Sequence, residues 1–441
     1  MLNLFWKKPD LFMQKTILQL FIILSLFLSL GCKQKQDLNS FLKEIPNVKI
    51  EKMENEDSTR QTYKIIIRQR VDHFGTDTTT FPQKIYLSHI DFLKPVVVVT
   101  EGYSAYRNRI SEPAKLLDAN QVMIEHRYFD ESVPRNINWK YLNIKQAAED
   151  DHVIVQLFKQ IYKGKFLSTG ISKGGQTTLY YKYFYPDDVD ASIAYVAPIN
   201  FDKKEPRVFE FLKHVGSESC RQKVFNFQKL LLQNKNKILP LFEEYSKNNK
   251  LSYPMGYKAA YEYCVLEFSF TYWQWGDLSC DSIPQDAGDP DKVFSAFEKV
   301  GFSFFSEKDI ESIRPFYVQA LTEIGFYTYD IKPFDNLITE VKNPNFNFTL
   351  PEGIDTTYDY KSMRDVNEFL QNKGNHIIYI YGENDPWSAS AEQLIPGRTD
   401  ALKMVKKGGN HKTRIKDFDT EDKDKIYKKL GEWMEVQLKE N

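Results

Sequence analysis

A serine between two glycines is the feature of this sequence that most constrains its fold. Residues 170–174 are Gly-Ile-Ser-Lys-Gly, and they connect an apolar run that begins at Phe166 to a helix-like segment that continues to Tyr183. A turn tight enough to present a serine hydroxyl at the end of a strand leaves no room for a Cβ two positions away on either side, which accounts for the glycines. The segment therefore predicts a strand, a nucleophile elbow at Ser172 and a helix that ends before Pro186.

Apolar segments on both sides of this turn predict an α/β fold. Continuous β-branched runs such as residues 95–100 are typical of strands buried on both faces of a parallel sheet, and residues 144–161 have apolar positions at helical spacing. The predicted strands are 62–68, 81–89, 95–100, 122–124, 166–171, 191–197 and 376–381. Repeated strand–helix–strand units imply a doubly wound, mostly parallel sheet with helices on both faces, the arrangement of the α/β-hydrolase fold.

A change in pattern divides the chain beyond residue 45 into a core and an insertion. Helix-like segments such as 224–242 and 291–300, separated by polar loops, dominate between residues 201 and 350. This stretch, 201–350, is predicted to be a helical cap inserted into an α/β-hydrolase core. The core is expected to consist of residues 46–200 and 351–441, and it closes with an amphipathic helix.

The N-terminus has the pattern of an export signal. An apolar run at 17–30 follows three lysines and stops at Gly31-Cys32, and about 14 residues suit a signal-peptide core better than a membrane span. Residues 28–32, Leu-Ser-Leu-Gly-Cys, resemble the bacterial lipobox, in which the cysteine is acylated. We therefore expect a signal peptide at 1–31, lipidation at Cys32, a polar tether at 32–45 and anchoring to a membrane at the periplasm or cell surface. An uncleaved anchor with an incidental cysteine is the alternative.

Three further cysteines, Cys220, Cys264 and Cys280, would then lie in an oxidising compartment. Three cysteines allow one disulfide and leave one thiol, and the sequence does not choose the pair.

The partners that a serine nucleophile needs are found downstream. A serine hydroxyl requires a base to remove its proton and an acid to hold that base, and in the α/β-hydrolase arrangement they follow in the order Ser, Asp or Glu, His. Asp385 lies just after the strand predicted at 376–381, and His411 is the one histidine beyond it. The predicted triad is therefore Ser172, Asp385 and His411, with Glu383 as the alternative acid.

An oxyanion hole is expected beside the elbow. Its donors would be the backbone N–H of Lys173 and a second backbone N–H, from Gly102 or Tyr103, in the loop that follows the strand 95–100. This chemistry requires no cofactor and no metal, and we expect neither.

Composition argues against nucleic acid as a partner. The chain has 59 Lys and Arg against 60 Asp and Glu, a formal net charge of −1. Aromatic residues make up 15%, which favours a large core and apolar pockets.

Several segments together resemble a known peptidase family, the secreted prolyl tri- and tetrapeptidyl aminopeptidases (serine peptidase family thirty-seven). The segments are 100–103, 111–113, 121–128, 169–175 and 195–198. The resemblance extends from about residue 71 to 411. A lysine after the serine separates this pattern from the related prolyl carboxypeptidase and dipeptidyl peptidase group, where a tyrosine is usual. The resemblance implies a serine exopeptidase that releases short peptides from free N-termini, often after proline, with Ser172, Asp385 and His411 as its triad.

An exopeptidase of this kind must bind the ammonium group of a peptide substrate. A carboxylate near the oxyanion loop would do so through a charge-assisted hydrogen bond, and Glu101 is the first candidate, followed by Glu125 and Glu323. A structural ion pair is the alternative for each of them. Aromatic residues of the cap, among them Trp273 and Trp275, are candidates for the wall of a proline pocket, with packing in the cap core as the alternative.

Two other functions fit the same fold. An esterase or lipase shares the elbow and the triad. A surface lipoprotein that binds peptides or glycans without catalysis is the other alternative, although an intact triad argues against it.

Overall fold

The computed structural model describes residues 37–54, 57 and 59–438, and the chain divides into two compact units, 1–45 and 46–441. In the first unit, helix α1 (Leu38–Glu44) begins after Asp37, whose carboxylate accepts a hydrogen bond from the backbone N–H of Ser40 at 3.1 Å. Part of the stretch expected to be a tether is therefore helical. The predicted signal peptide and Cys32 lie outside the described residues.

The second unit is built around a nine-stranded sheet with strand order β1-β2-β3-β5-β4-β6-β7-β8-β9. The strands are β1 (Lys49–Met53), β2 (Gln61–Arg70), β3 (Thr80–His89), β4 (Val96–Thr100), β5 (Asn120–Ile124), β6 (Phe166–Ile171), β7 (Ala191–Tyr195), β8 (Ile377–Gly382) and β9 (Ala401–Lys406). Strand β2 is antiparallel to β1 and β3, and β3 is antiparallel to β5, whereas the pairs from β5 to β9 are parallel. The predicted mostly parallel sheet of an α/β hydrolase is confirmed.

Eleven helices of the second unit carry α labels among the described residues. They are α2 (Glu112–Leu116), α3 (Ile144–Lys159), α4 (Lys173–Phe184), α5 (Pro206–His214), α6 (Glu218–Gln233), α7 (Lys235–Asn248), α8 (Gly256–Trp275), α9 (Pro290–Phe297), α10 (Glu307–Gln319), α11 (Ser362–Asn372) and α12 (Thr420–Met434). Short 3₁₀ turns join several of them, and a π-helical turn, Ala320–Ile324, continues α10. None of the described helices is both long and apolar enough to cross a membrane.

The alternation of side chains along the strands determines which helices cover each face of the sheet. Val97 and Val99 share one buried cluster with residues of α2 and α12. The next residue, Thr100, is on the opposite face, where its hydroxyl lies 2.6 Å from that of Thr178 in α4. Helix α4 packs on β6 and β7, and α3 packs on α4. The sheet is therefore covered on both faces, as the sequence predicts.

The stretch between β7 and β8 contains helices α5–α11, and its details differ from the sequence prediction. The single helix expected at 224–242 is divided into α6 and α7 at Asn234, whose side-chain amide donates to the carbonyl of Leu230 at 2.8 Å and ends α6. A disulfide joins Cys220 of α6 to Cys280, and Cys264 is a buried free cysteine of α8. The pair that the sequence left open is therefore Cys220–Cys280.

Candidate active site

Ser172 lies at the sharp turn between β6 and α4. Its backbone has φ +57° and ψ −122°, a conformation that side-chain-bearing residues rarely adopt, and it is held by a hydrogen bond from its own N–H to the carbonyl of Tyr195 at 2.8 Å. A Cβ at position 170 would lie 2.0 Å from the carbonyl oxygen of Gly174, and one at position 174 would lie 2.7 Å from that of Thr100. Both glycines are therefore required by close backbone contact, and the predicted order of strand, turn and helix is confirmed.

His411 and Asp385 form a buried hydrogen-bonded pair. The distance from Nδ1 of His411 to Oδ2 of Asp385 is 2.7 Å, and the other carboxylate oxygen accepts a hydrogen bond from the backbone N–H of Trp387 at 3.2 Å. Glu383, the alternative acid, accepts instead from the backbone N–H of Gly408 at 2.7 Å. Because Nδ1 is engaged by Asp385, Nε2 is the nitrogen of His411 left to act as a base.

The sheet topology brings these residues to one edge. Strands β6, β7, β8 and β9 are parallel neighbours, so the turns after β6, β8 and β9 all lie at their carboxyl ends. The loop with His411 rests directly on the end of β8, since a Cβ at Gly382 would lie 2.5 Å from the carbonyl oxygen of Asn410. Ser172, Asp385 and His411 therefore belong to one cluster of loops at this edge.

Backbone donors suited to an oxyanion lie beside the elbow. A Cβ at Gly102 would come within 2.6 Å of Lys173, so this loop touches the first turn of α4. Within the part of the chain that the structure describes, the backbone N–H groups of Gly102 and Tyr103 have no hydrogen-bond acceptor. The N–H of Lys173 is at the first position of α4, where no acceptor exists within the helix.

The phenol of Tyr103 is a feature of the site that the sequence analysis did not anticipate. Its hydroxyl lies within hydrogen-bonding reach of the Ser172 side chain, and burial raises its pKa. Its ring contacts those of Phe129 and Phe316, at centroid distances of 5.7 and 5.5 Å. The sequence predicts a role for its backbone N–H as an oxyanion donor but none for its side chain, because a sequence does not show which way a loop side chain points.

Glu125 is not available to a substrate. Its Oε2 accepts hydrogen bonds from the Lys84 ammonium group at 2.8 Å and from the N–H of Ala105 at 2.9 Å, and its Oε1 accepts from the Ser132 hydroxyl at 2.8 Å. The side chain is fully buried. The expectation that Glu125 binds substrate is therefore wrong, because the carboxylate is engaged in a structural network.

Glu101 has a cationic partner of its own. Nη2 of Arg109 lies 2.8 Å from its Oε1, with the arginine side chain 52% exposed and the glutamate 12% exposed. Burial raises the pKa of Glu101, and the nearby arginine opposes that effect. The first candidate for ammonium recognition is therefore already ion-paired.

Glu323 has no ion pair among the described residues. Its Oε2 accepts a hydrogen bond from the backbone N–H of Ile144 at 2.8 Å, and burial raises its pKa to about 8. It lies in the π-helical turn after α10 and lines a cavity of about 760 Å³, together with Asn138, Trp139, Leu142, Val318, Thr322 and Asp359. Glu323 also interacts electrostatically with Lys173, the residue after the serine.

The two tryptophans predicted to line a pocket have different surroundings. Trp273 is buried in a cluster with Val215 and the disulfide cysteine Cys220, so it belongs to the core around the disulfide and the expectation for it is wrong. Trp275 is 37% exposed, and its ring lies edge-on to the His411 imidazole at a centroid distance of 5.4 Å. Only Trp275 is at the site.

Comparisons with known proteins find a peptidase family. Residues 33–440 match the family model of PS-10 peptidase S37. The chain is 31% identical to the prolyl tri/tetrapeptidyl aminopeptidase of Streptomyces mobaraensis over 424 residues, which cover 91% of this chain and 85% of the relative. It is 22% identical to the probable serine protease EDA2 of Arabidopsis thaliana, covering 75% of this chain and 76% of that protein.

A solved structure is similar in outline. The proline iminopeptidase-related protein TTHA1809 of Thermus thermophilus aligns with 84% of this chain and 98% of its own, at 12% identity and a TM-score of 0.40.

Proposed function

The chain belongs to the peptidase S37 family and is a serine peptidase, and from this premise we propose that it releases tripeptides and tetrapeptides from free N-termini, with cleavage after proline. The aminopeptidase relative at 31% identity supports the substrate class. The observation that carries the catalytic part of the proposal is the buried His411–Asp385 hydrogen bond of 2.7 Å at the same sheet edge as the elbow serine.

The proposed reaction is acyl transfer through Ser172. His411 takes the hydroxyl proton through Nε2 as Ser172 Oγ attacks the scissile carbonyl, and Asp385 stabilises the imidazolium through Nδ1. The N–H groups of Lys173 and of Gly102 or Tyr103 bind the oxyanion. His411 then gives its proton to the leaving amine, and a water molecule activated by the same histidine hydrolyses the acyl-enzyme.

Among the three carboxylates considered, Glu323 is the proposed acceptor for the substrate ammonium group. Glu125 is fully engaged and Glu101 is paired with Arg109, whereas Glu323 has no ion pair among the described residues and acts electrostatically on Lys173, the residue after Ser172. Above about pH 8, where the Glu323 carboxyl is ionised, Glu323→Gln should raise the Michaelis constant for free peptides at least tenfold, because a charge-assisted hydrogen bond contributes about 1.5–3 kcal/mol. Glu101→Gln is the matched control, and a larger effect there would return the role to Glu101.

Trp275 is proposed to form part of the wall of the substrate site, because it is partly exposed and contacts the His411 ring. An aromatic face at this position suits the ring of a proline residue.

One assay tests the proposed activity. Peptides with free or acetylated N-termini, with and without proline at the third or fourth position, are incubated with the purified protein, and the products are identified by mass spectrometry. Tri- and tetrapeptides should appear from free peptides only, and Ser172→Ala or His411→Ala should lower turnover by about 10⁴-fold or more. Faster cleavage of a para-nitrophenyl ester than of any peptide would favour an esterase, and equal cleavage of acetylated peptides would contradict the aminopeptidase proposal.

Export as a lipoprotein is a separate proposal. It is supported by the sequence at 28–32, which resembles a lipobox. Intact-mass measurement of membrane-purified protein should show a lipid on Cys32, and Cys32→Ser should abolish the modification. A membrane fraction without lipid on Cys32 would contradict the proposal.

A further inference from the structure

Several buried polar side-chain atoms near the elbow lack a hydrogen-bond partner. Among the described residues they include Nζ of Lys173, Nε2 of Gln176, Oδ2 of Asp151 and both amide atoms of Gln319. Asp151 belongs to α3, Lys173 and Gln176 belong to α4, and Gln319 ends α10. Buried polar groups in native proteins are almost always paired with protein, water or a ligand, so these atoms need water or a ligand as their partner.

Gln319 is the most informative member of this group. It is 0% exposed, and neither its amide oxygen nor its amide nitrogen has a protein partner. A buried carboxamide without partners costs stability, about 1–3 kcal/mol for an unmet group. An apolar residue at this position would avoid that cost.

The helix around Gln319 fixes its place relative to the elbow. Phe316, three positions earlier, contacts the ring of Tyr103 at 5.5 Å, and Glu323, four positions later, interacts electrostatically with Lys173. Residues three and four positions apart lie on the same face of a helix. Gln319 therefore lies between Phe316, which contacts Tyr103, and Glu323, which acts on Lys173.

Lys173 gives this region an unusual electrostatic character. Its side chain is 2% exposed, with Nζ 5.9 Å from the ring centroid of Tyr103 and 5.6 Å from that of Phe129. Glu323 and Asp151 are the acids that act on it, yet the described residues form no ion pair with Lys173. Burial lowers the pKa of Lys173 and raises those of Asp151 and Glu323, so these groups do not hold one another in charged pairs. The region therefore contains two acids, an amine and an amide that do not satisfy one another, which is suited to a zwitterionic or amide-bearing ligand.

We propose that Gln319 is a specificity-determining residue that binds the first residue of the peptide substrate beside Glu323. Its amide oxygen accepts a hydrogen bond from the substrate ammonium, which also donates to Glu323, and its amide nitrogen donates to the first peptide carbonyl. An acetylated N-terminus has no positive charge and is larger than an ammonium group, so it does not bind to Gln319 and Glu323. The inference rests on the proposed aminopeptidase function and on Glu323 as the ammonium acceptor.

The test compares Gln319→Leu and Gln319→Met with wild type on matched free and acetylated peptides. The ratio of kcat/KM for free over acetylated peptide should fall about tenfold or more, the size of one hydrogen bond to a charged group. The melting temperature should stay the same or rise, because an apolar side chain replaces an unpaired buried carboxamide. Two variants are used so that a packing defect in one does not decide the result.

Tyr379→Phe is the control, since it removes a different buried polar atom without a partner, the Tyr379 hydroxyl on β8, two strands from β6. It should leave the ratio unchanged. If both Gln319 variants keep the wild-type ratio, the inference is overturned and the amide binds only structural water. If wild type itself cleaves acetylated peptides as fast as free ones, the aminopeptidase proposal fails instead.

Discussion

The choice of one carboxylate over its neighbour illustrates how a single residue decides the chemistry of this site. Asp385 and Glu383 are two positions apart after β8, and both precede His411 in the order that the triad requires. The carboxylate of Asp385 accepts the hydrogen bond from His411, whereas that of Glu383 accepts from the backbone of Gly408 and stabilises the turn after β9. Glu383, which has the longer side chain and directly follows β8, therefore stabilises the neighbouring turn and does not orient His411.

Asp385→Asn should lower kcat about 10⁴-fold, because an amide at this position favours the wrong tautomer of His411. Glu383→Gln should change kcat less than about threefold, since a neutral acceptor still serves the Gly408 N–H. Steady-state kinetics on a tripeptidyl chromogenic amide measures both, and circular dichroism shows whether each variant is folded. A Glu383→Gln defect as large as that of Asp385→Asn would contradict this assignment.

At the scale of elements, the end of helix α8 is joined to the loop that holds His411. The backbone N–H of His411 donates to the carbonyl of Gln274 at 3.0 Å, and the Asn410 side chain donates to the carbonyl of Trp275 at 2.8 Å. The last carbonyls of a helix have no partner within it, so the histidine loop satisfies two of them. The position of His411 is therefore coupled to the helical segment between β7 and β8.

Asn410→Ala should lower kcat several-fold and leave KM nearly unchanged, because it frees the histidine loop without touching a substrate contact. The exposed ion pair of Lys425 with Glu421 on α12 provides the control, and Lys425→Ala should have little effect on either constant. Stopped-flow or steady-state assays over a range of substrate concentrations separate the two constants. An unchanged kcat in Asn410→Ala would show that this hydrogen bond does not position the histidine.

The elements also show what a sequence can and cannot predict. Strands β4 and β6 were predicted almost to the residue because they are buried on both faces, whereas the partly exposed edge strands β1 and β9 were missed. Helix α8 was not predicted as an element, since it is apolar nearly all round and has no clear helical period.

The sequence likewise predicts some contacts of the candidate site and not others. The Asp385–His411 contact follows from chain order and strand ends, which a sequence contains. The ion pairs of Glu101 and Glu125 do not follow from chain order, because Arg109 and Lys84 reach those carboxylates only through tertiary packing.

At the scale of the whole molecule, several buried acids form no ion pair within the described residues. Burial raises the pKa of Glu267 to about 7, that of Glu323 to about 8 and that of Glu392 to about 7. A carboxyl whose pKa is higher in the folded than in the unfolded state binds more protons when folded. Between the two pKa values the free energy of unfolding then decreases as pH rises. The fold therefore carries several groups that favour mildly acidic conditions.

Glu267 allows the cleanest test of this effect, because among the described residues it has only hydroxyl partners. Its carboxylate accepts hydrogen bonds from Thr271 at 2.9 Å, Tyr327 at 2.9 Å and Tyr329 at 2.6 Å. In the wild type, its contribution to stability is complete below the unfolded pKa near 4.5 and is lost as pH rises to about 7. A shift of this size corresponds to a loss on the order of 3 kcal/mol.

Glu267→Gln should remove that part of the pH dependence, because an amide does not ionise. Urea unfolding at pH 5 and pH 8, with the disulfide intact, measures the free energy of unfolding of wild type and variant. The variant should lose less stability than wild type between the two pH values, whereas Glu352→Gln, at an exposed position, should follow the wild type. Identical losses in Glu267→Gln and wild type would mean that Glu267 ionises in the folded protein as readily as in the unfolded chain. The tyrosine hydroxyls would then suffice to stabilise its charge.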